Sequence, residues 1–410
     1  MADEGVDMTD PKSARDRLEE GSIRPYELDD LVGHEQATHI RREYYEEQLG
    51  TSLSAIGEYG LSAERAQKNI ENMVGTIQVP LGIAGPVAID GEFASGEYHL
   101  PLATTEGALV ASVNRGCRLI DAGGGATARI FSAGMTRAPV FRVGDAAQAS
   151  ELIDWVEANE GALKSAAEGT TNHGELHAID PYVVGDNVYL RFSFDTKDAM
   201  GMNMVTVATR AAAEVIEAET DAQLVALSGN LCTDKKPAAI NAVEGRGYTV
   251  TADVMLPDAV LEEHLGISAE VLAEVNTRKN LLGSAKAGSL GFNAQTANIV
   301  ASMFLATGQD EAQVVEGSNA ITTVDARENG VYVSSTLSSL ELGTVGGGTG
   351  LATQQEALDI LGLAGGGDPP GSHARALAEV VATASLAGEL SLLGALGSRH
   401  LAEAHEQLGR

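Results

Sequence analysis

Between Ala374 and Gly397 the chain carries little besides small and aliphatic residues, and this run reads as one long buried helix whose small side chains permit close packing. The longest apolar stretch, Ala378 to Ser398, is interrupted by Glu379 and Glu389, so it does not read as a membrane span. A second Ala/Gly-rich run, Ala285 to Gly308, reads in the same way. At 410 residues the chain has room for two or three domains with separate cores.

Composition narrows the class. The formal net charge is −31, from 58 acidic against 27 basic residues, and a surface of that sign repels nucleic acid and anionic membranes. With 44% hydrophobic residues the chain packs a core instead of staying disordered. Self-repulsion on this scale is relieved by screening, which points to a protein adapted to a high-salt interior. Two cysteines, Cys117 and Cys232, lack metal-type spacing and cannot form a disulfide framework, as in a reducing, cytoplasmic protein. No signal peptide or lipid anchor is read; the chain opens with Asp3, Glu4 and Asp7.

Residues 1 to about 70 read as short charged helices, with Tyr44, Tyr45 and the Leu49 region as packing anchors. Strands follow from Gln78 and at Tyr98 to Leu102, and a helix is expected to start at Thr104-Thr105-Glu106. Between Arg137 and Ser228 the order is strand, helix, two strands, helix. That is the order of a split-βαβ sandwich, and no G-x-G-x-x-G turn accompanies it.

Ser228-Gly229-Asn230-Leu231-Cys232-Thr233-Asp234-Lys235-Lys236-Pro237 places two ammonium groups side by side in a chain with eight lysines. Adjacent like charges repel, so the pair reads as an anion-binding loop, held rigid by Asp234 and Pro237. Glu106, beside Gly107, and Asp310, in Gly308-Gln309-Asp310, are candidate carboxyl partners for acid/base work; each could equally be a helix-dipole or turn residue. His405 is a candidate acid or a solvated side chain. His173 and His177 have i, i+4 spacing, but no further ligand completes a metal site and none is expected. Asp198 to Met204 and Gly343 to Gly350 are two unusual loops, one Met-rich and one Gly-rich, suited to a phosphate or a flat ring.

Pro101 to Gly107, Asp198 to Met204, Ser228 to Asn241 with Glu244-Gly245-Arg246-Gly247, Gly308 to Asp310 and Gly343 to Thr349 together resemble 3-hydroxy-3-methylglutaryl-coenzyme A reductase of the biosynthetic class, over about Asn69 to His405. The resemblance implies reduction of the thioester to mevalonate and free coenzyme A by two hydride transfers from NADPH, with NADH the lesser alternative. It implies Lys235 as oxyanion stabiliser, Glu106 as proton donor, Asp310 as the carboxylate tuning both, and His405 as acid for the coenzyme A thiolate. Arg137, Ser228, Asp234, Lys236, Lys279 and Asn298 match positions that hold the hydroxymethylglutaryl group. Asp198, Met200, Gly201, Met202, Asn203, Gly346 and Gly347 match the nicotinamide-nucleotide site.

Asn172 stands where relatives use an arginine for the 2′-phosphate, leaving Arg142, Arg191 or His173 as substitutes. The implied fold is α/β (α+β). It has a helical region at 1–74, a large substrate domain at 75–138 and 228–410 built on a long central helix, and an inserted ferredoxin-like cofactor domain at 139–227. A homodimer or homotetramer with shared active sites is implied, and neither the relatives' membrane domain nor their regulatory serine is found. A thioester hydrolase or acyltransferase using Glu106 and His405 would not need the two loops. An inactive coenzyme A-binding homologue would not need all four candidate groups.

Overall fold

The structure is a computed structural model that describes the backbone of residues 11–408 and the side chains of residues 12–398. Ten strands form it: β1 (Leu81–Gly91), β2 (Ser95–Ala103), β3 (Ala126–Arg137), β4 (Val140–Arg142), β5 (Glu175–Val184), β6 (Asn187–Asp195), β7 (Gln223–Ala226), β8 (Gly247–Pro257), β9 (Ala320–Arg327) and β10 (Gly330–Leu340). Strand β3 belongs to two sheets. Up to Gly134 it lies between β1 and β8 in the order β2-β1-β3-β8-β10-β9; its last residues, Met135 to Arg137, pair with Phe192 to Phe194 of β6.

The second sheet runs β7-β4-β6-β5, antiparallel throughout, with helices Ala146–Ala158, Glu160–Glu168 and Met202–Glu219 between the strands. This is the strand order of a ferredoxin-like sandwich. Asp145 starts its first helix by accepting from the Ala147 and Gln148 amides at 2.9 and 3.0 Å. Phe141, Leu152, Phe192, Phe194, Val205 and Ile216 form a core that shares no buried residue with the core of the larger sheet.

That larger core is gathered around the helix Ser372–Leu408, whose Leu377, Val380, Val381, Leu386, Leu390 and Leu393 are buried. The segment Ser372–Ser398 is long and apolar enough to cross a membrane, but most of it is buried inside the protein. Small residues set its distances. A Cβ on Gly116 of helix Leu109–Ala122 would lie 1.8 Å from the Ala387 carbonyl oxygen, so the two backbones touch directly.

The two glutamates that interrupt this apolar helix are fully buried, and each anchors a distant turn. Glu379 accepts from the backbone N–H groups of Glu92, Phe93 and Ala94 at 3.0, 2.9 and 2.6 Å, closing the β1–β2 hairpin. Glu389 accepts from the N–H groups of Ala294 and Gln295 at 2.8 and 2.7 Å and from Thr322 Oγ1 at 2.8 Å. Burial raises both carboxyls above their ordinary range, although the hydrogen bonds pull the other way.

Three expectations are corrected. The run Ala285 to Gly308 is two helices, Ser284–Ala287 and Thr296–Thr307, because Gly288 turns left-handed (φ 71°) and Phe292 bridges to Ile321. The helix expected at Thr104 begins at Leu109, and Glu106 sits in the preceding turn, where its N–H donates to Thr104 Oγ1 at 2.9 Å. Tyr44 packs on the N-terminal cluster of Ala14, Leu18, Leu28 and Ile40, whereas Leu49 is exposed.

Candidate active site

The Ser228–Pro237 loop is held in a shape few side chains tolerate: Asn230, Thr233 and Lys235 all have positive φ, of 64°, 59° and 59°. Its anchors are buried. Thr136 Oγ1 donates to the Cys232 carbonyl oxygen at 3.1 Å, Thr233 Oγ1 donates to Asn241 Oδ1, and the Lys235 N–H donates to Glu316 Oε1. The two lysines then part. Lys235 Nζ lies 2.8 Å from Asp310 Oδ2, and Lys236 Nζ donates to the Asp234 carbonyl oxygen at 3.0 Å. The hydrogen bond to Asp310 raises the Lys235 ammonium above its ordinary value against a smaller opposing effect of burial, so Lys235 stays charged. Asp310 holds its own place by accepting from the Ala312 N–H at 3.1 Å.

Arg137 and Ser228 converge on Cys232, with Ser228 Oγ 3.3 Å and Arg137 Nη1 3.9 Å from its sulfur; Arg137 Nε also donates to Thr206 Oγ1 at 3.1 Å. Burial opposes ionisation of the Cys232 thiol, but Ser228, the Asp234 N–H, Arg137 and Arg246 outweigh it and lower the thiol below its ordinary value. Asp234 Oδ1 accepts from Gln313 Nε2 at 3.0 Å and from Arg246 Nη2 at 3.1 Å. Arg246, Gln313, Glu316 and Glu341 form a buried cluster beneath this loop to which sequence reasoning gave no role. The signal available was an arginine fixed between two glycines, Gly245 and Gly247, both at positive φ.

Lys279 is exposed on a π-helical turn, Asn276–Gly283, and Asn298 is half-buried on the helix Thr296–Thr307. Both elements are tied to Glu389, through Asn280 Nδ2 at 3.4 Å and through the Ala294 and Gln295 amides. Among the described residues no hydrogen bond or ion pair joins Glu106, Lys279 or Asn298 to the Lys235 loop. The helix Ser372–Leu408 carries His405, whose side chain lies outside the described residues.

The two unusual loops meet. The Asp198 carbonyl oxygen accepts from the Thr344 and Val345 N–H groups at 2.7 and 3.2 Å, and Ala199 forms a bridge with Val345. Gln309 joins this pair to Asp310 beside it, exchanging two 2.9 Å hydrogen bonds with the Gly343 backbone. Gly346 (φ 80°) and Gly347 (φ 56°) have open space where a Cβ would be, so their backbone is accessible to a flat or anionic group. Gly201 caps the helix Met202–Glu219, Asn203 is exposed in its first turn, Met200 packs on the small core, and Met202 Sδ accepts from Arg246 Nη2 at 2.9 Å. The Asp198 carboxylate is engaged elsewhere: it accepts from Gly371, Gly367 and Ala374 at 2.7, 3.0 and 3.1 Å, fixing the start of the long helix.

Asn172 is exposed in a turn that Thr171 ties to the same helix, its Oγ1 3.2 Å from Met204 Sδ. Of its proposed substitutes, Arg191 is 3% exposed and donates to the Gly245 carbonyl oxygen, which removes it as a surface phosphate ligand. Arg142 is engaged with Gln223, and His173 stands exposed beside Asn172. The His173/His177 spacing is not helical, since His177 lies on β5. His177, Glu175 and Asp195 do gather within 4.8 Å, with the Lys197 ammonium 3.2 Å from Glu175 and 2.9 Å from Asp195.

A loop anchored on buried residues presents a lysine–carboxylate pair that one glutamine joins to an open glycine loop, an arrangement able to stabilise negative charge developing on a carbonyl oxygen, as an oxidoreductase of carbonyl groups requires. Residues 37–410 match the family described as hydroxymethylglutaryl-coenzyme A reductase. A 3-hydroxy-3-methylglutaryl-coenzyme A reductase of Haloferax volcanii is 64% identical over 98% of this chain and 100% of the relative, and one of Halobacterium salinarum is 60% identical over 98% and 99%. Both come from halophilic archaea, in keeping with the acidic surface. The class II reductase of Streptococcus pneumoniae, solved bound to NADPH in open conformations, shares the fold with a TM-score of 0.67 at 19% identity, over 97% of this chain and all of that one. The chain belongs to the hydroxymethylglutaryl-coenzyme A reductase family.

Proposed function

We propose that the protein reduces 3-hydroxy-3-methylglutaryl-coenzyme A to mevalonate and free coenzyme A, in two hydride transfers from two NADPH. The observation that carries this reading is the 2.8 Å Lys235–Asp310 pair, linked through Gln309 to the Gly343–Gly347 loop. NADPH supplies the hydrides when bound, and Gly346, Gly347, Gly201, Met200, Met202 and Asn203 would hold it, with Asn172 at its 2′-phosphate. The Lys235 ammonium binds the oxygen of the reacting carbonyl where negative charge develops, and Asp310 keeps it aimed and charged. Ser228, Arg137, Asp234 and Lys236 hold the hydroxymethylglutaryl group. Glu106 donates a proton to the substrate oxygen, and His405 protonates the coenzyme A thiolate as it leaves between the two reductions.

The site is completed by a second copy of the chain. Among the described residues Glu106, Lys279 and Asn298 make no hydrogen bond or ion pair with the Lys235 loop of their own chain, which supports a homo-oligomer in which the two sets meet across an interface. The division into 1–74, 75–138 with 228–410, and 139–227 is part of the same reading, supported by the separate hydrophobic clusters. Following nicotinamide absorbance and free thiol together tests the reaction: two NADPH are consumed per thiol released. Thiol release without nicotinamide oxidation would instead make the protein a thioester hydrolase.

A further inference from the structure

Arg246 is wholly buried, and three carboxyl groups converge on its guanidinium: Asp234 at 3.1 Å on Nη2, and Glu341 at 3.1 Å and Glu316 at 3.4 Å on Nη1. Glu316 and Glu341 are as completely buried as the arginine, and among the described residues no second cation lies within ion-pair distance of either. If all three were ionised, a dry site would hold three negative charges against one positive charge. An uncompensated carboxylate there is strongly disfavoured, so a proton stays in the cluster.

The hydrogen bonds say where. Asp234 is partly exposed and accepts from both Gln313 and Arg246. Glu316 Oε1 accepts from the Lys235 N–H as well as from Arg246. Glu341 has Arg246 as its one side-chain donor among the described residues, beside its own backbone N–H, and the Oε2 atoms of Glu316 and Glu341 have no partner. We propose that Glu341 is a neutral carboxylic acid in the working enzyme and, through Arg246, a positioning residue for Lys235. The groups facing it are Arg246, ahead of β8, and Glu316, on the short helix Val314–Gly317. Burial raises the Glu341 carboxyl well above its ordinary range, Arg246 opposes this, and the charge of Glu316 adds to it.

A neutral Glu341 leaves the guanidinium charge to Asp234 and Glu316. Those two hold the loop from its side-chain and backbone sides, and Glu316 keeps the Lys235 N–H in the left-handed turn that aims the ammonium at Asp310. Ionisation of Glu341 would pull Arg246 toward itself and loosen both. This inference rests on the reading of Lys235 as the oxyanion-binding cation, but its first test needs no substrate. Infrared spectra of the full-length wild-type protein at neutral pH are expected to show a protonated-carboxyl C=O band that vanishes on unfolding, and Glu341→Gln is expected to lack one such band. A wild-type protein without a band that unfolding abolishes, or a Glu341→Gln spectrum with every band intact, overturns the assignment.

The second test is kinetic. The alkaline fall of kcat is expected to move up by about one pH unit or more in Glu341→Gln, and Arg246→Lys is expected to lower kcat about tenfold with KM changed less than about threefold. An alkaline limb unmoved by Glu341→Gln, or an Arg246→Lys effect confined to KM, overturns the positioning role.

Discussion

Two buried groups organise the two halves of the site, and they do so by opposite means. Under the Lys235 loop, Arg246 faces more carboxyl groups than its single charge can neutralise. Under Lys279 and Asn298, Glu389 makes no contact ion pair among the described residues; neutral N–H and O–H donors from Ala294, Gln295, Thr322 and Asn280 surround it, and the Lys279 charge acts on it only from farther off. On the proposed reading, dipoles suffice to fix two helix ends whose side chains only bind substrate. A concentrated charge is kept where, on the same reading, the neighbouring Lys235 meets developing charge during the reaction, because the local field there acts on rate as well as on shape.

The comparison makes kcat the property of the first half and KM that of the second. Lys235→Ala is expected to lower kcat by about a hundredfold to a thousandfold, with the thermal midpoint unmoved. Its mixed oligomers with Glu106→Gln, formed by co-expression, are expected to recover roughly a quarter of wild-type activity, since half the dimers would carry one intact site of two. No recovery would mean that Glu106 serves the Lys235 of its own chain and that the halves do not meet across subunits. Glu389→Gln follows in size. It places an amide N–H₂ among donors and is expected to cost about 3 kcal/mol in urea unfolding, with KM raised about tenfold and kcat held within about threefold. A change in kcat alone would erase the distinction.

Smaller effects come from pH and salt. Glu316, Glu341, Glu379 and Glu389 have folded pKa values raised above the ordinary 4.5, chiefly by burial. The folded state therefore holds protons that the unfolded chain releases. The stability associated with them is complete below the ordinary carboxylate range and is lost as pH rises through each raised value. Glu341→Gln is expected to flatten that decline in pH-dependent unfolding, and an unchanged slope would mean the carboxyl is ionised in both states. Salt acts on the surface. The net charge of −31 predicts that thermal midpoint and activity rise from dilute buffer to molar KCl, by similar amounts in the wild type, Arg246→Lys and Glu389→Gln. A flat response would count against salt adaptation.

Much of this was legible in the residues. The long buried helix was visible from Ala374 to Gly397, the split-βαβ order from strand and helix spacing, and the rigid Lys235–Lys236 loop from two adjacent lysines in a lysine-poor chain. What stayed hidden depends on partners far along the chain. Glu379 and Glu389 stood out only as interruptions, because their donors lie about 290 and 95 residues away, beyond any local periodicity. Arg246 was visible as part of a motif without a role, since nothing near it in sequence announces Glu316 and Glu341. Asp198 was legible as part of the nucleotide loop, yet its carboxylate holds the start of the long helix, a contact spanning more than 170 residues.

The long helix also has a consequence in time. A ribosome releases the chain from its N-terminal end at roughly 5–20 residues per second. The core around Phe192 and Phe194 draws on nothing beyond Ala222 and Leu227, so that sandwich can close while the remainder is still being made. The larger core cannot, because its central side chains extend to Leu393. Until that segment emerges, β1, β3, β8 and β10 present an uncovered apolar face to solvent. The nascent chain thus passes through a stage with one finished module tethered to one exposed sheet, and its yield in the cell is set by how well that sheet is shielded while it waits.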